Sequence, residues 1–221
     1  APAPSGPAVT PAVVPSVSSA TPAASVAPAA STTAATTSRP TWLSESCVAR
    51  SKALLSQMTL AEKAGQMVQA NIGSLLSEDD IGKDAIGSLL FNGDEAPTVN
   101  APNAWADLTD GWHAQALKSR LKIPLLVGID AVHGNAKVSG ATVFPHAIGL
   151  SSSGDIKLVE DVGRVTALEV LGSGADWAFA PVVAVARDER WGRTYESFGE
   201  TPELAGLFGH AMIRGLQAGG V

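Results

Sequence analysis

The chain has 221 residues, with 15 Lys and Arg against 21 Asp and Glu and a formal net charge of −6. An acidic balance with no basic patch argues against nucleic acid or an anionic membrane as a partner, and no apolar run is long enough to span a bilayer. The single cysteine, Cys47, excludes an internal disulfide and a cysteine metal site, and reads as a small, partly buried apolar side chain.

Residues 1–40 consist of Ala, Pro, Ser, Thr and Val with one Gly and one Arg, and hold no acid and no aromatic ring. Prolines at positions 2, 4, 7, 11, 15, 22 and 28 forbid a long helix and remove sheet donors. Such a stretch buries too little surface to offset its ordering entropy, which predicts a disordered, partly polyproline-like linker. Linkers of this composition, and a first residue other than Met, fit a mature exported product whose signal peptide has been removed, hence a periplasmic or secreted protein.

The folded domain is expected over residues 41–221, long enough for a sizeable core. Thr59-Leu-Ala-Glu62 is a capping-box signature, and apolar residues at 60, 64, 67 and 68 predict a helix over 59–70. Ile86 to Phe91 reads as a strand. Pro102 and Asn103 open a helix whose Trp105, Leu108, Trp112, Ala116 and Leu117 recur at helical spacing until about Arg120. Leu125 to Ile129 is a continuous apolar run, the pattern of a strand covered on both faces. Asp155 caps a helix that the glycines at 172 and 174 end. Trp177 to Ala186 reads as a second buried strand, and Thr201-Pro202 starts a helix that reaches about Gln217.

Strands alternating with helices predict a parallel sheet with right-handed crossovers. A closed barrel takes eight such units over ~250 residues, and this chain supplies about three. The expected fold class is therefore α/β: the N-terminal portion of a TIM (β/α)8-type barrel, preceded by the linker.

Polar side chains crowd where the strands end. In Gly128-Ile129-Asp130-Ala131-Val132-His133-Gly134, Asp130 falls where a barrel strand meets its active-site loop. An ionised Asp there can accept two sugar hydroxyls or cap the loop backbone, and the residues alone leave both readings open. His133 and His146 flank a glycine-containing loop. With Asp130 they suggest either a zinc-type metal site, as in a metal-dependent hydrolase, or histidines bonded to loop backbone. Phe144-Pro145-His146 reads as a fixed turn shaping a pocket wall. After the second strong strand, Arg193 offers a rigid fork for paired hydroxyls or a carboxylate. Trp191 offers either a face for a pyranose or a core ring. Arg187, Asp188 and Glu196 read as a charge network that stiffens the loop, with Glu196 orienting an arginine.

The segments GIDAVHG, GATVFPH, ALEV, FAPVVAVARDERWGRTYESFGE and RGLQ together resemble, in order, the N-terminal catalytic domain of family 3 glycoside hydrolases. The likeness runs from about Ser56 to the last residue. It points to the β-glucosidase and exo-glucan glucohydrolase branch, because the N-acetylglucosaminidase branch tends to carry a QEGG-type loop where this chain has AVHG. The resemblance implies removal of terminal non-reducing β-D-glucose from β-glucosides or β-glucans, with retention of configuration through a carboxylate nucleophile and a second carboxyl acting as acid and base. It implies no cofactor and no metal. It assigns Asp130 to the hydroxyls of the terminal glucose, and Arg193 to the same subsite.

The family's Lys-His pair after RGLQ, its nucleophilic Asp and its acid/base Glu have no counterpart here and are expected beyond Val221. The only Asp-Trp pair, Asp176-Trp177, precedes a strand instead of following one, so no nucleophile and no acid/base residue is assigned. The fragment is thus expected to hold part of the sugar-binding site, to depend on a missing C-terminal part, and to be inactive alone. A non-catalytic sugar-binding module is the remaining alternative. Deleting residues 1–40 is expected to leave thermal midpoint and turnover of a full-length enzyme nearly unchanged; a midpoint drop of several degrees would show that the segment docks on the folded domain.

Overall fold

The computed structural model describes residues 44–91 and 95–221. The expected linker over 1–40 lies outside the described residues. The folded unit, from Glu45 onward, is α/β with one four-stranded parallel sheet in the order β1-β2-β3-β4. The strands are β1 (Gln69–Asn71), β2 (Ser88–Phe91), β3 (Leu126–Ile129) and β4 (Trp177–Ala178), and the sheet is not closed. The helices are α1 (Glu45–Gln57), α2 (Leu60–Gln66), α3 (Asp79–Lys83), α4 (Pro102–Ala116), α5 (Ala147–Ser152), α6 (Ile156–Gly172) and α7 (Pro202–Gly219).

The predicted capping box forms. Thr59 N donates to Glu62 Oε2 at 2.8 Å, and Glu62 N donates to Thr59 Oγ1 at 3.2 Å. The helix nevertheless ends at Gln66 instead of 70. Val68 O accepts from Ser88 N, and Gln69, Ala70 and Asn71 pair with β2. Sheet pairing overrides the local helical spacing, and Met67 and Val68, which supported that spacing, lie exposed. Helix α1, which carries Cys47, has no counterpart among the predicted elements; the thiol is exposed rather than partly buried.

Strand alternation divides the sheet into two faces. Leu89, Phe91, Val127, Ile129 and Ala178 point to the helices and are buried. Behind them Phe91 stacks on Trp105 of α4, with ring centroids 4.7 Å apart, and meets Trp112 at 5.9 Å. Leu126 and Trp177 point the other way and are about half exposed. The expectation that 125–129 is covered on both faces is therefore corrected: helices cover one face only, and the other faces open space. The predicted strand over 177–186 is likewise shortened to Trp177–Ala178. Phe179 N makes a last bond to Ile129 O, and beyond it no described strand lies alongside to continue the ladder.

Helices α6 and α7 begin at the predicted caps. Asp155 Oδ1 accepts from Leu158 N at 3.0 Å, and Thr201 Oγ1 from Leu204 N at 3.3 Å. The chain enters β3 from a segment held to α2, where Arg120 grips both oxygens of Glu62 at 2.8 and 2.7 Å. The Arg120 hydrogen bonds, followed by the cap bond from Thr59 N, pull the Glu62 carboxyl down to about 2.

A carboxyl lowered in the folded state contributes stability above its unfolded value near 4.5 and loses it as pH falls through about 2. Gln at this position can keep the capping box but removes the charge and one of the two Arg120 bonds. Glu62→Gln is therefore expected to lower the thermal midpoint at pH 7 and to match wild type near pH 2. A constant offset across that window would show that the ion pair is not the cause.

Candidate functional site

All four parallel strands end on one edge of the sheet, and there the loops after β3 and β4 meet. Gly128 sits on the open face of β3, under the ring of Phe179. A Cβ at Gly128 would lie 2.3 Å from Phe179 Cζ, so only glycine permits the approach. Two residues on, alternation sets Asp130 on that same open face, at the strand end. It is exposed, and its carboxylate makes no hydrogen bond to any described residue. A loop-capping Asp would accept backbone N–H groups; Asp130 accepts none.

The loop after β3 folds back tightly. His133 Nδ1 donates to Phe144 O at 2.7 Å, and Phe144 N donates to His133 O at 2.8 Å. Gly134, at φ +94°, makes the turn; a side chain there would strike Thr142 O. Neighbouring helices hold the loop. Glu169 of α6 accepts from Thr142 N and Oγ1, and Asn100, itself bonded to Trp105 Nε1 at 2.7 Å, binds Lys137 O and Ser139 N. The double bond between His133 and Phe144 brings His146 back beneath His133. Their rings lie 3.9 Å apart between centroids, at 32°.

The loop after β4 returns through Ser197, whose Oγ donates to Ala184 O at 2.8 Å, and through buried Phe198. Within it a 3-10 turn at Thr194–Glu196 presents Arg193 to Glu196. Arg193 Nε and Nη2 bond to Glu196 Oε1 and Oε2 at 2.9 and 2.6 Å, with 60% of the Arg193 side chain but only 11% of the Glu196 side chain exposed. This pairing lowers the Glu196 carboxyl below its usual range, against burial that would raise it. The Arg193 guanidinium is held charged first by Glu196, and also by the negative charge of Asp130.

The site residues read from the sequence thus fall on one edge: Asp130, His133 and His146 on one loop, Trp191, Arg193 and Glu196 on the other. Asp188 pairs with Arg190, its neighbour two residues on. Arg187 does not join that network. It lines a cavity of about 360 Å³ with Asp188, Glu189, Thr194 and Glu200. Trp191 is half-buried, and its carbonyl caps Thr194. The metal alternative finds no geometry: His133 Nδ1 is committed to Phe144, and among the described residues no group of three or more His, Cys, Asp or Glu is placed to hold a metal ion. Asp176 sits at the opposite end of the sheet, where its carboxylate accepts from Val127 N at 3.1 Å and lies 3.5 Å from His113.

Sequence reasoning gave no role to Tyr195. Its ring meets His146 edge-on, with centroids 4.5 Å apart at 75°, and it directly precedes Glu196 in the 3-10 turn. Its position between Arg193 and Glu196 was the only signal.

The profile described as "Glycosyl hydrolase family 3 N terminal domain" matches residues 59–221. The chain belongs to that family. It is 34% identical over 183 residues to the "Lysosomal beta glucosidase" of Dictyostelium discoideum, covering 75% of this chain and 22% of that protein. With the "Periplasmic beta-glucosidase" of Salmonella typhimurium it shares 37% identity over 164 residues, covering 74% and 20%. Among solved structures, a mutant exo-1,3/1,4-beta-glucanase from a Pseudoalteromonas species superposes with a TM-score of 0.74 at 40% identity, over 79% of this chain and 29% of that one. The chain thus spans about a fifth of the length of these curated relatives.

Burial and the nearby His133 hold the His146 imidazole below its usual 6.5, and Glu196 opposes them. Because the folded value is depressed, this histidine contributes stability above its unfolded value and loses it as pH falls through the folded one. NMR titration is expected to place the His146 midpoint below 6.5. His133→Ala should raise that midpoint and Glu196→Gln should lower it further; shifts of the opposite sign would contradict the stacked arrangement.

Proposed function

We propose that the protein carrying this chain is a β-glucosidase-type glycoside hydrolase. It removes terminal non-reducing β-D-glucose from β-glucosides or β-glucans, and residues 59–221 form the opening part of its (β/α)8 barrel. The observation that carries this reading is Asp130: an exposed carboxylate at the end of β3, without a side-chain hydrogen bond among the described residues, on the same sheet edge and within electrostatic reach of an arginine that a shielded glutamate holds. That arrangement leaves acceptors and donors side by side for adjacent hydroxyls of one sugar ring.

Asp130 and Arg193 hold the terminal glucose, and Trp191 and His133 supply the wall. Glu196 and His146 support the site. Arg187 lies in the neighbouring polar cavity. The names of the relatives, β-glucosidases and an exo-glucanase, support the substrate class, and the periplasmic one supports a periplasmic or secreted location. Among the described residues no helix is long and apolar enough to cross a membrane.

The retaining mechanism needs two carboxyl groups ~5 Å apart across the scissile bond. Asp130 is committed to sugar hydroxyls, and Asp176 lies at the wrong end of the sheet. The family resemblance implies that both catalytic roles fall to other parts of the full-length protein, and on that reading these residues alone would be inactive.

In the full-length protein, Asp130→Ala is expected to lower kcat/KM for an aryl β-glucoside about a hundredfold or more, because two charge-assisted bonds of ~1.5–3 kcal/mol each are lost. Part of the loss should fall in kcat, since contacts remote from the scissile bond strengthen in the transition state. The thermal midpoint should hardly move. Near-normal kcat/KM with a much lower midpoint would make Asp130 a structural residue instead.

A further inference from the structure

Between the loops that carry Asp130 and Arg193 the sheet gives no support. The ladder between β3 and β4 ends with Phe179 N donating to Ile129 O. Beyond that point apolar packing of Val132 and Ala147 against Pro181, Val182 and Phe198 joins the two loops, and with it a run of three rings: His133, then His146, then Tyr195.

We propose that His146 is a positioning residue for the sugar site, a ring wedged between His133 and Tyr195 that sets the loop of Arg193 against the loop of Asp130. The proposal rests on the reading of Asp130 and Arg193 as the glucose-binding pair.

Each neighbour of the wedge is fixed. His133 cannot turn, because its Nδ1 and its carbonyl are both tied to Phe144. On the far side, Tyr195 directly precedes Glu196 in the same 3-10 turn, and Glu196 grips Arg193 through two hydrogen bonds. Contact therefore passes from His133 through His146 and Tyr195 to the carboxylate that aims the guanidinium.

His146 itself acts by shape. It stands at the N-cap position of α5, yet its side chain makes no capping hydrogen bond. No hydrogen bond to another described residue engages the ring. The cavity left beside it, bounded by Val132, Ala147, Pro181, Val182, Glu196 and Phe198, is about 10 Å³, at the lower limit for a single water. Burial and His133 across the stack favour a neutral ring here, against the pull of Glu196. Offset-stacked and edge-to-face contacts of this kind fix ring orientation as well as distance.

The test compares four variants of the full-length protein on an aryl β-glucoside. His146→Ala is expected to raise KM about tenfold through loss of two ring contacts, with a smaller change in kcat. His146→Phe, which restores a ring of similar breadth, should recover most of that loss. Tyr195→Ala, at an exposed position that folding tolerates, should raise KM in the same direction and stands in should His146→Ala fail to fold. Asp130→Ala is the control for the underlying reading. If Asp130→Ala raises KM while His146→Ala, or Tyr195→Ala in its place, leaves it unchanged, the wedge is refuted and the glucose site stands. If His146→Phe is as impaired as His146→Ala, a specific imidazole bond is at work and the wedge is again refuted. If Asp130→Ala itself leaves KM unchanged, the site reading falls and the wedge with it.

Discussion

Parallel pairing of β3 between β2 and β4 is the constraint on which the rest depends. A parallel neighbour can be reached only by a crossover, so each strand must be followed by a helix that returns along the sheet. The helices then need a covered apolar face, which Phe91, Val127 and Ile129 supply on alternate positions. The positions between them are left for the other face. All strands run the same way, so every loop that follows a strand emerges on one edge. The polar residues of GIDAVHG and of RDERWGRTYESFGE are neighbours for that reason alone: they lie more than fifty residues apart in sequence, but each follows a strand of the same sheet.

Gly128 shows how closely backbone and site are linked. It lies opposite Trp177 in register, and the Phe179 ring passes over it at a distance that no side chain would permit. The ring thereby covers the open face of β3 just before the strand ends at Asp130. The strand itself is rigid, since Val127 and Ile129 are anchored among α4 and α6 side chains. The loops are held differently, by Glu169 on Thr142, by Asn100 on the backbone at 137 and 139, and by Ser197 on Ala184. Each of these bonds fastens one loop to the scaffold. Between the loops act the ring contacts, the apolar side chains around Val132 and Phe198, and the charges at Asp130, Arg193, His146 and Glu196.

The sequence made legible whatever is decided locally. Caps at Thr59, Asp155 and Thr201 and the proline at the start of α4 are local chemistry, and they mark helix starts in the structure. The apolar run at 125–129 marked a strand, and the residue after it marked the site edge. What escaped was set by partners distant in sequence. β1 forms only because β2 lies beside it, which no spacing within 66–71 announces. The strand beginning at Trp177 reads too long from sequence, because its apolar composition suits a sheet interior and the described neighbours pair with only its first residues. Tyr195 was invisible for the same reason. Its value lies in His146, forty-nine positions earlier, and no local pattern links the two.

The open face of the sheet follows from the same geometry and bears on how the site works. Leu126 and Trp177 are large, apolar and roughly half exposed, and they share the face on which Asp130 stands. Exposed apolar side chains and strand backbone without a ladder are costly to leave in water, and a sheet in this condition calls for further strands and side chains against it. A sugar held by Asp130 and Arg193 alone would also remain largely hydrated, and charge-assisted hydrogen bonds gain strength only where competing water is displaced. On the proposed reading, further strands against this sheet would serve two ends at once: they would cover the apolar face and enclose the exposed pair of charged groups. On that reading, binding strength at Asp130 and Arg193 would depend on such enclosure, while the backbone that places them is already set by the pairing of β3 and β4.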